Sequence, residues 1–279
     1  MSKLLSKLLS KLLIFLCCII LISSCQIDPN TIAHKANMHK KLHYTKNFII
    51  TSFIRNLNYL DQTKPIYIYI EGDGQAWVSR YRLSNNPTPK NPLVLELASI
   101  DHNPNVIYIA RPCQFTPIEL DHNCCSNYWS TARYSQVVVD AINEVITNVK
   151  NLINSKNPDI HLIGYSGGAT IAGIIAASRS DIKSLTTIAG NLDHDMVSDF
   201  HKTTKLDQSL NLINFAEKIS HIPQMHYIGE KDQVVPSYVT KSFVTKINYF
   251  NKNNIAKYVI LKNIDHYNGW LNFWKTKNI

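Results

Sequence analysis

The sequence has neither a long hydrophobic run nor charge concentrated in one place. Its longest apolar run covers residues 12–22, whereas a helix needs about 20 apolar residues to cross the hydrocarbon core of a bilayer. A permanent membrane-spanning helix is therefore disfavoured. Charged residues make up only 18% of the chain, and the lysines form no dense basic stretch, so we expect no nucleic-acid partner. The 45% of hydrophobic residues can build the core of one globular domain.

The first 25 residues differ from the rest of the chain. Lysines at positions 3, 7 and 11 precede the apolar run, and Ser23, Ser24 and Cys25 follow it, a pattern typical of a secretory signal peptide. Residues 21–25 resemble a bacterial lipobox, which implies cleavage before Cys25 and attachment of diacylglycerol to its sulfur. A conventional signal peptide that happens to end near a cysteine is the alternative. Cleavage would remove three lysines and no acidic residue, lowering the formal charge from +9 to +6.

Acyl chains on Cys25 would hold the protein on a membrane without a spanning helix, because each buried methylene contributes about 0.8 kcal/mol. Gln26 follows the cysteine, and in lipoproteins of this kind a residue other than Asp there implies sorting to the outer membrane. We therefore predict an exported bacterial membrane lipoprotein that faces the periplasm or the cell surface. Its expected organisation is a signal peptide over residues 1–25, a linker over 26–44 and a globular domain over 45–279.

Cysteine is scarce, with six residues in the chain. Cys113, Cys124 and Cys125 follow the predicted anchor and lack the paired Cys and His spacing of a zinc site. We expect no metal and no organic cofactor. In an oxidising compartment, a disulfide from Cys113 to either Cys124 or Cys125 would close a loop of about a dozen residues and add about 2–4 kcal/mol of stability.

Strand and helix patterns alternate beyond residue 45. The spacing of apolar residues from Val138 to Ile153 predicts an amphipathic helix, and short β-branched or aromatic runs predict strands. The predicted strands cover residues 48–54, 66–70, 106–110, 160–163, 185–189, 225–229 and 256–261, with further helices over 168–178 and 238–247. This alternation indicates an α/β fold with a mostly parallel central sheet and helices on both faces. Residues 75–98 and 191–223 interrupt the alternation and are expected to cover the site, the second as a lid.

The run Gly164-Tyr165-Ser166-Gly167-Gly168 lies between a predicted strand and a helix of small residues. This is the setting of a nucleophile elbow, in which glycines leave room for a strained turn around the serine. The N–H of Gly167, at the start of the helix, could face a developing oxyanion. A glycine-rich phosphate-binding or packing turn is the alternative.

A serine hydroxyl needs a base and a group that orients the base. Asp232 follows the strand over 225–229, and His266 follows the last strand, which gives the chain order Ser, acid, His that this elbow uses. His266 would accept the Ser166 proton and later protonate the leaving group, while Asp232 would hold the imidazole tautomer. Asp193, one strand earlier, is an alternative acid.

A second oxyanion donor is expected from the loop after the strand over 66–70. This loop has the sequence Glu71-Gly72-Asp73-Gly74, and its glycines let backbone amides approach a substrate. We predict the Asp73 N–H as the donor, with the Gly74 N–H as the next candidate. An ordinary Asp-Gly turn is the alternative.

With these features in place, residues 45–275 resemble the α/β-hydrolase superfamily, and especially a group of bacterial lipoprotein serine hydrolases. The similar runs are 71–74, Ala110-Arg111-Pro112-Cys113-Gln114, Tyr128-Trp129, Ala189-Gly190-Asn191-Leu192-Asp193 and Asp232-Gln233-Val234-Val235-Pro236. The doubled Cys124-Cys125 departs from the pattern of that group and leaves the partner of Cys113 open.

The resemblance implies the α/β-hydrolase fold and the Ser166, Asp232 and His266 triad. We therefore expect an esterase-like or lipase-like enzyme that hydrolyses an ester or related acyl bond through an acyl-serine intermediate. Its substrate would be a small-molecule or lipid acyl compound. An acyl peptidase and a non-catalytic surface lipoprotein that uses the fold for binding are the alternatives.

Overall fold

The computed structural model describes residues 28–153 and 158–277. The predicted signal peptide and the lipidation of Cys25 therefore lie outside the described residues. The elements are α1 (Pro29–Lys35), β1 (Met38–Tyr44), β2 (Ile49–Arg55), β3 (Ile66–Ile70), β4 (Trp77–Ser79), β5 (Arg82–Leu83), α2 (Leu93–Ser99), β6 (Val106–Ile109), α3 (Gln136–Leu152), β7 (Ile160–Tyr165), α4 (Gly167–Ala176), β8 (Ile182–Ile188), α5 (His194–His201), β9 (Gln224–Gly229), α6 (Ser237–Phe250), β10 (Ala256–Leu261) and α7 (Trp270–Lys277). Short 3₁₀ helices cover Ile118–Leu120, Ser126–Trp129 and Leu212–Phe215.

An eight-stranded sheet has the order β1-β2-β6-β3-β7-β8-β9-β10. Strands β6, β3, β7, β8, β9 and β10 are parallel, whereas β1 pairs antiparallel with β2, and β2 with β6. The predicted α/β fold with a mostly parallel sheet is confirmed. Because parallel strands end at the same edge, the loops that follow β3, β7, β9 and β10 all lie at the carboxyl end of the sheet.

Helices cover both faces of the sheet, and each face has its own apolar core. On one face α3, α4 and α6 pack against side chains such as Ile66, Ile68 and Ile70 of β3. On the other face α1, α2 and α7 pack around Tyr69 of the same strand. The alternation along β3 follows from the period of two in a strand, which sends successive side chains to opposite faces. In the described part of the chain, no helix is long and apolar enough to cross a bilayer.

The linker predicted over residues 26–44 needs correction, because its described part is folded. The carboxylate of Asp28 caps α1 by accepting the N–H groups of Asn30 and Thr31. Strand β1 pairs with β2 along its whole length, and Met38 is buried. Because β1 is an edge strand with only some of its side chains buried, its sequence is polar and has no apolar run that would predict a strand. The globular unit therefore includes residues 28–44.

The segment 191–223, predicted to be a lid, contains α5 and the 3₁₀ helix Leu212–Phe215. Leu212 is buried, and its side chain fills the space beside Gly173 of α4. The N–H of Leu210 donates to the carbonyl of Tyr134 over 3.0 Å. These contacts tie the second half of the segment to the body of the protein. The first half contacts it as well, since His201 Nε2 lies 2.8 Å from the Val234 carbonyl oxygen.

Candidate active site

The turn at Ser166 is strained. The residue links β7 to α4 with φ 50° and ψ −120°, a conformation that L residues rarely adopt and that costs about 1–3 kcal/mol. The surrounding chain holds it: the Ser166 N–H donates to the Ile188 carbonyl over 2.9 Å, and the Ser166 carbonyl accepts from the Asn191 N–H over 3.0 Å. This turn conformation places the Ser166 hydroxyl beyond the carboxyl end of the sheet.

The glycines around Ser166 have a steric function. A Cβ atom on Gly164 would lie 2.5 Å from the Cα of Ala169, and one on Gly168 would lie 2.3 Å from the carbonyl oxygen of Ile70. Both obstacles are backbone atoms, which cannot rotate aside. The strand, the turn and the helix therefore approach one another more closely than any side chain at these positions would allow.

The three residues predicted as a triad meet at one point. His266 Nε2 lies 3.0 Å from Ser166 Oγ, and His266 Nδ1 lies 2.8 Å from Asp232 Oδ2. The other oxygen of Asp232 accepts the N–H groups of Val234 and Val235, each over 2.8 Å. With its Nδ1 proton directed at Asp232, His266 can accept the Ser166 proton at Nε2.

The alternative acid is occupied elsewhere. Asp193 caps α5 by accepting the N–H groups of Asp195 and Met196, and it also accepts from the Asn211 side chain over 2.8 Å. The structure does not bring it to the histidine. Asp193 follows a strand, as a catalytic acid in this fold would. However, α5 begins at the next residue, and the carboxylate caps that helix.

Aromatic side chains hold His266 in place. The Tyr165 hydroxyl donates to the His266 carbonyl over 2.8 Å, and Trp270 Nε1 donates to the same oxygen over 3.0 Å. The rings of Tyr165 and Tyr267 lie 5.3 and 4.9 Å from the imidazole. Sequence reasoning missed these partners, because nothing in the pentapeptide around Ser166 indicates that Tyr165 reaches a residue 101 positions later.

Asp73 lies at the centre of a charged cluster beside Ser166, which we call the Asp73 cluster. Its carboxylate contacts Arg111 and Arg133, each at 3.1 Å, and accepts the Tyr134 hydroxyl over 2.7 Å. Burial alone would raise the pKa of Asp73, but the two guanidinium groups and the Tyr134 hydrogen bond hold it below its usual value. The carboxylate therefore stays ionised and anchored. Sequence reasoning considered only the backbone of this residue.

The Asp73 cluster lies directly against the start of α4. A Cβ atom on Gly167 would lie 2.0 Å from Asp73 Oδ1 and 2.6 Å from the Tyr134 hydroxyl. Within residues 28–153 and 158–277, neither the Asp73 N–H nor the Gly167 N–H donates to another protein group. The structure thus brings the two predicted oxyanion donors to neighbouring loops and leaves both amides available.

Glu71 is a buried carboxyl group at the start of the same loop. It accepts the Gly72 N–H and the Tyr108 hydroxyl, both over 2.9 Å. Burial raises its pKa to about 7, against the opposing effects of these hydrogen bonds and of Arg111. Its two hydrogen bonds join the backbone of Gly72 to Tyr108 of β6.

Of the two predicted disulfides, the structure contains the one from Cys113 to Cys124. Cys113 and Cys124 form a disulfide, and Cys125 is a free, exposed thiol. The disulfide packs with Ala76 and Trp129 in a small apolar cluster near the Asp73 loop. In the part of the chain that the structure describes, no group of three or more His, Cys, Asp or Glu side chains could hold a metal ion.

Solved structures with the same architecture are esterases and related hydrolases. The Pyrococcus furiosus esterase Pf2001 has a TM-score of 0.59 and 14% identity, covering 90% of this chain and 91% of its own. Est1E from Butyrivibrio proteoclasticus has a TM-score of 0.58 and 14% identity, covering 86% and 95%. An α/β serine hydrolase homologue from Coxiella burnetii has a TM-score of 0.54 and 14% identity, covering 86% and 97%. At this identity the likeness establishes the fold.

Sequence comparison identifies the family. No curated protein sequence matches the chain. The family described as serine hydrolase (FSH1) matches residues 102–259, which is more than half of the chain and includes Ser166 and Asp232, while His266 lies beyond the matched range. The chain belongs to the FSH1 family of serine hydrolases.

Proposed function

We propose that this serine hydrolase cleaves carboxylic esters or related acyl bonds through an acyl-Ser166 intermediate. The observation that carries the proposal is the continuous hydrogen-bonded chain from Ser166 through His266 to Asp232. The three groups stand in the relation that nucleophilic catalysis by serine requires: nucleophile, base and a carboxylate that orients the base.

In the first half of the reaction, Ser166 Oγ attacks the substrate carbonyl carbon while its proton passes to His266 Nε2. The carbonyl π electrons move to the oxygen, and the resulting oxyanion accepts hydrogen bonds from the N–H groups of Gly167 and Asp73. Such donors stabilise the charge that develops in the transition state, and each contributes about 10²–10³ in rate. When the tetrahedral intermediate collapses, the bond to the leaving alkoxide breaks and the alkoxide takes the proton from His266.

In the second half, a water molecule attacks the acyl-enzyme and gives its proton to His266 Nε2. The second tetrahedral intermediate collapses, the acyl–Oγ bond breaks, and the proton returns to Ser166 as the carboxylic acid leaves. The anchored Asp232 stabilises the imidazolium in both halves. Asp73 would act in both halves through its backbone amide, which the salt bridges to Arg111 and Arg133 hold in position.

The name of a similar structure supports an ester as the substrate. Pf2001 is described as an esterase. Lipid and short-chain esters are both compatible with this mechanism, and acylation of Cys25 would place the enzyme next to lipid esters. We propose that anchor on the basis of the lipobox at residues 21–25, and Cys25→Ser should release the protein from membranes. Retention of that variant in the membrane fraction would contradict it.

A fluorophosphonate probe tests the proposed nucleophile. The probe should label the protein at Ser166, Ser166→Ala should abolish labelling, and Ser180→Ala, which changes an exposed serine beyond α4, should leave it intact. A folded wild-type protein that fails to label would favour the non-catalytic lipoprotein.

A chain-length series of p-nitrophenyl esters would then define the acyl group. Turnover that Ser166→Ala abolishes is the expected result. Near-zero rates across the series, despite probe labelling, would move the proposal from esters to the acyl peptidase.

A further inference from the structure

A small hairpin stands apart from the central sheet. Strands β4 and β5 pair only with each other, and the large side chains of Trp77, Val78 and Tyr81 are 44%, 46% and 86% exposed. An isolated two-stranded hairpin is at best marginally stable in water, and exposed apolar groups of this size are candidates for a binding surface. We call residues 77–83 the docking hairpin.

The base of the docking hairpin is rigid although its tip is exposed. The Ser84 N–H donates to the Ala76 carbonyl over 2.9 Å, and Trp129 Nε1 donates to the Ser84 carbonyl over 3.0 Å. Ala76 and Trp129 pack against the disulfide-bonded Cys113. The exposed side chains are therefore presented from a fixed platform.

The docking hairpin belongs to the active-site end of the molecule. Trp77 follows Asp73 by only four residues, and the Asp73 carboxylate lies against the position that a Gly167 side chain would occupy. A surface bound by the hairpin would consequently lie close to the entrance of the site at Ser166.

The charge and the aromatic residues of the docking hairpin indicate which kind of surface it binds. Residues 74–95 contain Arg80, Arg82 and Lys90 but no acidic residue, and the Arg80 guanidinium lies 5.7 Å from the ring centre of Tyr81. Tryptophan and tyrosine prefer the boundary between lipid and water, and basic side chains favour anionic headgroups. A second copy of the chain would bring like charges together, so charge complementarity favours a lipid surface.

We propose that the docking hairpin binds the headgroup region of an anionic phospholipid membrane, with Trp77 and Tyr81 at the lipid boundary and Arg80 and Arg82 on the phosphates. The site at Ser166 is then held at the membrane surface. That consequence favours lipid acyl substrates and rests on the proposed function, whereas membrane binding by the hairpin does not.

The tryptophans of the protein provide a direct test. The chain has four, all within the described residues; Trp129, Trp270 and Trp274 are 6%, 0% and 2% exposed, so Trp77 is the one that solvent reaches. The experiment uses the mature chain, residues 25–279, carrying Cys25→Ser, which lacks both the apolar run of residues 12–22 and the acylation site. Vesicles of equal parts phosphatidylcholine and phosphatidylglycerol should shift the emission to shorter wavelength and protect it from iodide, and Trp77→Phe should abolish both effects.

The contribution of the two arginines is tested with Arg80→Ser/Arg82→Ser, which removes both positive charges. The vesicle concentration that gives half of the shift should rise about tenfold or more, as expected for the loss of two basic residues at an anionic surface. The matched control Lys252→Ser/Lys257→Ser removes two exposed charges near the start of β10 and should leave this concentration unchanged. Hydrolysis of a soluble p-nitrophenyl ester should be the same in all of these variants, so a failure of docking is distinguishable from a failure of the proposed function.

Three results would overturn the proposal. One is the absence of a Trp77 shift with the mixed vesicles. The second is an equal shift with phosphatidylcholine alone, which would show that anionic headgroups are not recognised. The third is a shift that depends on protein concentration without vesicles, which would identify a second copy of the chain as the partner.

Discussion

Two ion clusters of similar composition lie at opposite ends of the central sheet. Each has one aspartate between two basic side chains: Asp73 follows β3 at the carboxyl end, and Asp181 precedes β8 at the amino end. The two aspartate side chains are almost equally exposed, at 17% and 16%. The pKa of each lies below its usual value because basic partners outweigh the effect of burial.

The neighbours of the two clusters differ. Asp181 contacts Lys150 of α3 and Arg179, each at 2.7 Å, and so ties a helix to the start of a strand. Asp73 lies against Gly167, next to the Ser166 hydroxyl, and has an additional partner in Tyr134. Similar electrostatics therefore support structure at one end of the sheet and the geometry of the site at the other.

The largest effect is expected from Gly167→Ala. The new Cβ would lie 2.0 Å from Asp73 Oδ1, so the Asp73 loop must move, and its amide would leave the position proposed for an oxyanion donor. We expect kcat for a p-nitrophenyl ester to fall about 10²–10³-fold, the effect of losing one oxyanion donor. The control Gly173→Ala, in the same helix, meets only the end of the Leu212 side chain and should retain kcat. Near-normal turnover by a folded Gly167→Ala protein would contradict the close contact.

An intermediate effect is expected from Asp73→Asn, with Asp181→Asn as its matched control. Both remove a carboxylate that accepts charged hydrogen bonds, so both should lower the free energy of unfolding by about 2 kcal/mol. Only Asp73→Asn should also lower kcat, by about tenfold, with KM little changed, because a displaced amide weakens transition-state binding rather than substrate binding. Urea unfolding and steady-state kinetics measure the two quantities. If both variants lost kcat equally, the contrast between the clusters would not hold.

The smallest effect on turnover is expected from Glu71→Gln, which should act only on the pH dependence of stability. Burial raises the pKa of Glu71 from 4.5 to about 7, so the folded protein binds a proton that the unfolded chain releases. Its contribution to stability is complete below about pH 4.5 and is lost as the pH rises through 7, by up to about 3 kcal/mol. The neutral amide should remove this slope.

Urea unfolding between pH 5 and 8 checks this prediction. The exposed Glu119→Gln serves as the control and should keep the wild-type slope. Identical pH dependence in Glu71→Gln and wild type would show that Glu71 does not carry the effect.

The order of strands and helices along the chain and the three residues of the triad could be predicted, because both depend on local sequence patterns. Each of the predicted strands contains a short β-branched or aromatic run, and Ser166, Asp232 and His266 each follow the end of a strand. In a parallel sheet such residues share one edge, so the topology alone brings them together.

Partners distant in the sequence could not be predicted. Arg111 and Arg133 lie 38 and 60 residues from Asp73, and no pattern marks them as its counter-ions. Strand β1 was missed because an edge strand with polar, half-exposed side chains has no apolar run. The choice of Cys124 over Cys125 depends on which sulfur the folded loop places beside Cys113, since the two spacings differ by a single residue.

The sequence by itself determined the α/β class, the strained serine turn and the order of nucleophile, acid and base, because hydrophobic periodicity and glycine placement are local properties of the chain. Only the tertiary structure decided which acid faces His266, which cations hold Asp73 against Gly167 and where the Trp77 hairpin projects. Those outcomes depend on distances between segments that are far apart in the chain. These distances are set when the strands assemble into the sheet and its loops pack.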